Sequence, residues 1–314
     1  MIELDENVIR LISAKASKIK TYTGRQLKEA ILKSEGRVLM GQTYLKNPIL
    51  FPNCTSTELM FAFGGDMVML NGFDFRNPST CPGLQGFDYQ GIKNLVGGRP
   101  VGIYMGCPKE GLDITSDYLY DLSGMICTEE NLKKCKEWGV SFIVLGGNPG
   151  SGTSIKDVVH WTKKAREICG DDMLIFAGKW EDGIIEKVLG DPLADYDAKE
   201  IIKELIDAGV DCIDLPAPGS RHGISVDMIR ELVEYIHSYK SGTLAMTFLN
   251  SSVECADPDT IRLIALKMKE TGADIHAIGD GGFSGCTSPE NIHQLSVSLK
   301  GRHYTYFRMA SVNR

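Results

Sequence analysis

The chain has 314 residues, 43% of them apolar and 24% charged, the balance of an ordinary globular protein and not of a disordered or fibrous one. A net charge of -7 with scattered basic residues argues against a nucleic-acid partner, and no run approaches the roughly 18 consecutive apolar residues of a membrane span. The N-terminus "MIELDENVIRLISAKASKIK" is acidic where an export signal is basic, and nine cysteines without a CxxC pair read as reduced thiols, so a cytoplasmic location is expected.

Residues 1–36 read as a helical extension. Two helices are expected between residues 5 and 35, the first with Val8, Ile12 and Ile19 on one face and the second opened by the capping box "TGRQ" at Thr23. From Arg37 onward the chain repeats a pattern of a short apolar run, a small or polar end and an amphipathic helix. The runs are "RVLMGQT", "MVMLNGFD", "VGIYMGC", "SFIVLGGN", "MLIFAGKW", "DCIDLPAP", "LAMTFLN" and "DIHAIGDGG". They are spaced roughly 30 to 40 residues apart, about one β-α-β repeat each.

Helix boundaries support the same parse. "TSTE" at Thr55, "SIKD" at Ser154 and "DAKE" at Asp197 pair a capping residue with an acidic residue three places on. "DPDT" at Asp257 and "SPEN" at Ser288 place proline at the first helical position. Gly139, Gly209 and Gly272 stand just before the following strands, where a left-handed cap ends a helix. Nearly continuous apolar strands need cover on both faces, and eight such units predict a single (β/α)8 TIM barrel over residues 37–314, with a doubly wound open sheet as the alternative. After Lys300, "GRHYTYFRMASVNR" is expected to bury its aromatics against the domain or a partner.

In a barrel of this kind the loops after the strands gather at one face, and polar residues there become functional. Those positions are Gln42 and Thr43 after the first run, Asn71 and Asp74 after the second, Asn148 after the fourth, and Lys179 and Glu181 after the fifth. Asp214, Arg221 and His222 follow the sixth, Asn250 and Glu254 the seventh, and Asp280 the eighth. The last loop, "GDGGFSG", has successive main-chain N–H groups that suit an anion nest. A phosphate on Gly279, Gly281, Gly282 and Ser284, with Asn250 and Arg221 nearby, is therefore expected, against a purely structural glycine turn.

Lys179 in a barrel mouth would lose hydration and act as a base or nucleophile. Asp214, Asp280 and His222 are the candidate proton-handling groups, and Gln42, Asn71, Asn148 and Glu181 the candidate substrate contacts. The carboxylates Asp214, Glu181, Glu254 and Asp280 have a second use as ligands of Mg2+. A further glycine-rich run, "LGGNPGSGTS", lacks the Gly-Lys-Ser/Thr ending of a Walker loop. Residues 74–90 and 107–127 are long enough to be lids, with Arg76 and Lys109 available to an anionic substrate.

The strings "GRVLMGQT", "AFGGDMVMLNGFD", "FAGKWEDG", "DLPAPGSRHG" and "IGDGGFSG" followed by "SPENI" resemble a bacterial (β/α)8 family, itself uncharacterised, whose members carry the loose labels phosphoenolpyruvate phosphonomutase-like and haloacid dehalogenase-like. The resemblance covers most of the chain and implies the fold. It implies no activity, because the dehalogenase Asp-x-Asp motif has only "DYDAK" at Asp195 to match it, and the lyase string only "KKCKE" at Lys133.

The expected function is that of a metabolic enzyme of lyase, isomerase or mutase type, acting on a small phosphorylated or carboxylated anion. A homo-oligomer is a further expectation. The alternatives are a non-catalytic ligand-binding or regulatory barrel, and a flavin enzyme holding its cofactor phosphate on the glycine loop.

Overall fold

A computed structural model describes residues 5–47, 49–109, 125–147, 153–181, 186–281 and 285–310. Eight parallel strands close into a barrel in sequence order: β1 (Val38–Tyr44), β2 (Met67–Asn71), β3 (Val101–Gly106), β4 (Phe142–Gly146), β5 (Leu174–Gly178), β6 (Cys212–Pro216), β7 (Leu244–Leu249) and β8 (Ile275–Ile278). Closure is made where β1 pairs with β8, Val38 opposite Ile275 and Gly41 opposite Ile278. The expected single (β/α)8 barrel is the observed fold, and the open-sheet alternative falls with that pairing.

The period-two alternation of a strand sorts each run into two faces. Met40, Met69, Tyr104, Val144, Phe176, Met246 and Phe248 fill the interior, while Leu39, Leu70, Ile103, Ile143, Ile175, Ile213 and Leu249 pack outward under the helices. Two interior glycines give way to neighbouring rings. A Cβ on Gly102 would stand 2.3 Å from Phe142 Cε2, and one on Gly146 would stand 2.9 Å from Trp180 Cη2. Removing the side chain from one strand is what lets an aromatic from the next occupy the axis.

The helices begin where the sequence places caps. Reciprocal capping boxes open α2 (Gly24–Leu32) from Thr23, α3 (Ser56–Ala62) from Thr55 and α6 (Ile155–Cys169) from Ser154. Asp197 and Asp257 accept main-chain N–H groups at the starts of α7 (Ala198–Asp207) and α9 (Pro258–Glu270). Gly139, Gly209 and Gly272 all have positive φ, which a residue with a Cβ adopts only under strain.

The expectations at the chain ends are met only in part. The first N-terminal helix is a 3-10 turn, Leu11–Ser13, followed by the single turn α1 (Ala16–Ile19). Val8, Ile12 and Ile19 are nevertheless buried, in one cluster with the lower interior of the barrel, because short turns can present the same face as a continuous helix. At the C-terminus the chain continues α10 (Pro289–Ala310) past a break at Gly301. Of its aromatics, Tyr304 packs half-buried against the interior cluster, as expected, whereas Tyr306 is exposed; the fully buried positions there are Thr305 and Arg308.

Arg308 and Lys300 both pair with Asp66, and all three are buried. Asp66 also accepts the Leu39 N–H at 2.9 Å, and Arg308 donates to Ala14 O at 3.2 Å. This buried ionic cluster therefore ties the last helix, the N-terminal segment and the start of the barrel together.

Candidate active site

The strand ends at the C-terminal face bring most of the sequence candidates to one mouth. Gln42, Asn71 and Asn250 fall on the interior parity of β1, β2 and β7, continuing Met40, Met69 and Phe248. The Gln42 amide donates to Asp280 Oδ2. The Asn250 amide donates to Glu181 Oε1 at 2.7 Å. Each side-chain amide thus orients one carboxylate while leaving acceptor capacity on it.

Beneath these groups lies an aromatic layer. Trp180 stacks on Phe248 with ring centroids 5.3 Å apart and an interplanar angle of 6°, and meets Tyr104 edge-on at 6.2 Å. Burial raises the Tyr104 hydroxyl well above its ordinary range, and the nearby Glu181 charge adds to it. Glu181 is itself raised, mainly by burial, while Arg221 and the Asn250 amide pull the other way.

Glu254 is a strongly perturbed carboxyl of the mouth, and its placement takes three loops. Two consecutive serines after β7, Ser251 and Ser252, have φ of 67° and 68°. Left-handed backbone is unfavourable for residues with a Cβ and tends to mark functional turns. This bend leads into the 3-10 turn Val253–Cys255. The turn is fastened from the other side, where Thr287 Oγ1 donates to Glu254 O at 2.5 Å and Asn291 Nδ2 donates to the same oxygen at 2.9 Å.

The Glu254 side chain is buried, and its Oε2 has no hydrogen-bond partner. Burial pushes this carboxyl up to about 7, opposed by main-chain N–H groups of Glu254 and Gly281 and reinforced by the negative charges of Asp280 and Glu181. A carboxyl in that range exchanges its proton at neutral pH, which is what a general acid or base requires.

The same geometry accounts for the glycine loop. Gly279 N donates to Leu249 O at 2.8 Å, and a Cβ at Gly279 would stand 3.1 Å from Glu254 Oε1. Gly281 has φ of 73°, its O accepts from Cys255 Sγ, and its N–H bears on the Glu254 carboxyl. Of the amides expected to hold a phosphate, that of Gly279 belongs to the sheet ladder and that of Gly281 bears on the Glu254 carboxyl. Gly282 and Ser284 lie outside the described residues.

The remaining candidates divide. In β5 the register gives the interior parity to Trp180, while Lys179 continues Ile175 and Ala177, which face outward. Lys179 Nζ donates to Glu181 O at 3.1 Å, and Arg221 Nε donates to Trp180 O at 3.0 Å. Both cations therefore stand on the β5–β6 side of the mouth.

Asp214 faces the interior in register with Gly178 and Met246. It is fully buried, neither oxygen has a hydrogen-bond partner, and burial raises its carboxyl well above the ordinary range. His222 is exposed on the loop after β6.

Asn71 is half-buried at the end of β2, and Asn148 lies outside the described residues. Asp74 accepts the Arg76 N–H at 2.9 Å and stands 3.6 Å from both Lys46 and Arg76, so it organises its own loop. Of the second long loop, residues 110–124 lie outside the described residues. Among the described residues, no three His, Cys, Asp or Glu side chains are grouped to hold a metal ion. None of the described helices is long and apolar enough to cross a membrane.

Fold and site together define a TIM-barrel protein with a carboxylate-rich mouth at the C-terminal face. Residues 12–314 match the family described as a domain of unknown function, DUF7916, and the chain belongs to that family. The family's description carries neither of the labels that the sequence resemblance brought with it.

Comparison with curated proteins gives no match. Among solved structures, the carboxyl transferase domain of Rhizobium etli pyruvate carboxylase (Y628A, with pyruvate) is similar with a TM-score of 0.55 at 12% identity, over 99% of this chain and 56% of that one. The chain thus spans little more than half of that relative's length. An archaeal fructose 1,6-bisphosphate aldolase is similar with a TM-score of 0.51 at 11% identity, over 84% of this chain and 94% of that one. At such identities the likeness is one of fold, and fold alone does not assign chemistry.

Proposed function

We propose that the chain is a small-molecule enzyme of lyase or isomerase type that moves a proton on a carboxylated metabolite at the barrel mouth. The observation that carries this reading is Glu254, a buried carboxyl with an unsatisfied oxygen, poised to exchange its proton near neutrality and held in place by a strained loop. Polar groups converging on a perturbed carboxyl above an apolar floor are what proton-transfer chemistry needs.

In this reading the substrate lies over Trp180 and Tyr104, and its carboxylate end is directed to the Lys179 and Arg221 side. Glu254 as carboxylate takes a proton from the carbon or hydroxyl next to that carboxylate and returns it later in the cycle, so no electron acceptor is required. Asp280 and Glu181, oriented by Gln42 and Asn250, accept substrate donors. Asp214 lies in the barrel interior, its carboxyl raised well above the ordinary range by burial.

Exchange in D2O tests the reading across a range of substrate chemistries. The protein is incubated with a panel of 2-keto, 2-hydroxy and 2-amino acids, and loss of the C–H proton at C2 of the hydroxy and amino acids, or at C3 of the keto acids, is followed by proton NMR. At least one member should exchange with the wild-type protein and not with Glu254→Gln. Equal exchange by the variant removes Glu254 from the chemistry, and no exchange across the panel removes the reading.

A further inference from the structure

At the end of the barrel where the strands begin, opposite the mouth, a cavity of about 210 Å3 lies between the N-terminal extension and the barrel floor. Ile19, Lys20 and Leu27 line it from the extension, and Pro100, Val140 and Asp172 from the segments that lead into β3, β4 and β5. Such a volume holds several waters or a small metabolite. Gly24 lets the extension close on the floor, since a Cβ there would stand 2.3 Å from Asp172 O.

The lining is net positive. Lys93, in α4 (Tyr89–Leu95), stands half-buried in the wall, where its Nζ donates to Gly139 O at 2.6 Å and lies 5.9 Å from the Tyr89 ring centroid. Those are its partners among the described residues, so no carboxylate offsets this ammonium, and its three N–H groups are not all engaged. Burial holds it below its usual range. A cation drawn out of water without a counter-charge is unfavourable, and an anion beside it relieves that cost. Lys20 adds a second ammonium, its stem laid on Gly98, where a Cβ would stand 2.7 Å from Lys20 Cβ. Against these two cations the lining sets one carboxylate, the exposed Asp172.

We infer that this cavity is a second ligand site, for a small organic anion whose phosphate or carboxylate oxygens meet Lys93 and Lys20 and whose carbon body rests on Ile19, Leu27 and Val140. Lysine meets an oxyanion as a point charge with rotatable donors, so charge and size select the ligand here. A cationic ligand would face two ammoniums, and an uncharged one would leave Lys93 without its counter-charge. The site stands at the opposite end of the strands from Glu254 and Asp280, independent of what the mouth does. Its occupant is therefore an effector that fastens the extension to the barrel.

Melting temperatures of the full chain test this at constant ionic strength, with sodium chloride as reference against inorganic phosphate, glycerol 3-phosphate, butyrate and succinate. At least one anion should raise the melting temperature saturably, as a ligand bound only by the folded chain does. The phosphate and carboxylate arms tell which oxyanion the lysines prefer. Read as the ligand-induced shift within each variant, the effect should vanish in Lys93→Met, weaken in the exposed Lys20→Met and persist in Glu254→Gln. No shift beyond sodium chloride, or a shift that both lysine variants keep, overturns the inference. So does a shift that Glu254→Gln removes, which would put the anion at the mouth.

Discussion

Replacing Glu254 by glutamine should make the protein more stable, and only above a certain pH. The carboxyl is raised from 4.5 to about 7, chiefly by burial, and each tenfold change in proton affinity is worth about 1.4 kcal/mol. Ionising Glu254 in the folded chain is thus disfavoured by about 3 kcal/mol relative to the unfolded chain. Below pH 4.5 the group is neutral in both states and contributes nothing.

Between 4.5 and about 7 the unfolded chain releases this proton while the folded chain keeps it, so stability falls as pH rises, and the full penalty persists above 7. Glutamine fits the same space without ionising, and because the main-chain N–H contacts are already counted in the value of about 7, the expected gain above that pH is the full penalty of about 3 kcal/mol. Urea denaturation of wild type and Glu254→Gln at pH 4.5, 6 and 8, followed by circular dichroism, isolates this group because all other titrations cancel in the difference. The variant should match wild type at pH 4.5 and exceed it at pH 8. A difference independent of pH, or a less stable variant at pH 8, would show that Glu254 is solvated and not poised.

Three other outcomes follow from the same contacts. His276 is buried, with Nδ1 2.8 Å from Thr247 Oγ1 and Nε2 3.2 Å from Gly36 O, and burial lowers its pKa to about 3. The unfolded chain takes up this proton below 6.5 and the folded chain does not, so stability drains away as pH falls from 6.5 towards 3; the cost of His276→Gln at pH 7 should shrink by roughly 2–3 kcal/mol at pH 4 in paired urea melts.

Asp66→Asn leaves Lys300 and Arg308 buried without their carboxylate and should cost about 3–5 kcal/mol in the same assay; a loss under about 1 kcal/mol would mean the cluster is solvated. Gly279→Ala drives a methyl to 3.1 Å from Glu254 Oε1 and 3.3 Å from Leu249 O. It should slow Glu254-dependent deuterium exchange about tenfold or more with little change in melting temperature, since the crowding falls on a positioned carboxyl and a misplacement of about 1 Å is enough for such losses. Unchanged exchange would free Glu254 from that contact.

The barrel is legible in the sequence because its determinants are local. Apolar runs of strand length, capping residues such as Thr55 and Ser154, and glycines at left-handed helix ends each act within a few residues, and eight repetitions leave little choice of topology. The N-terminal helix is less legible, because Val8, Ile12 and Ile19 fit a helical face equally well when two short turns carry them.

The site is half legible for a related reason. Strand ends name the residues at the mouth, but not which of two neighbours turns inward, and one step of register separates Trp180 from Lys179. The glycine loop at 279–285 reads as an anion nest, and the group bearing on its Gly281 amide is a carboxyl, Glu254, supplied from the preceding loop. Only the fold shows that the loop's anion is already part of the chain.

That Glu254 is the proton-exchanging group of the mouth is met most directly by carbon-13 NMR of protein labelled at the glutamate carboxyls, with the Glu254 signal assigned by its absence from Glu254→Gln. A titration midpoint near 7 is expected. A midpoint near 4.5, the ordinary value for the group, would contradict it.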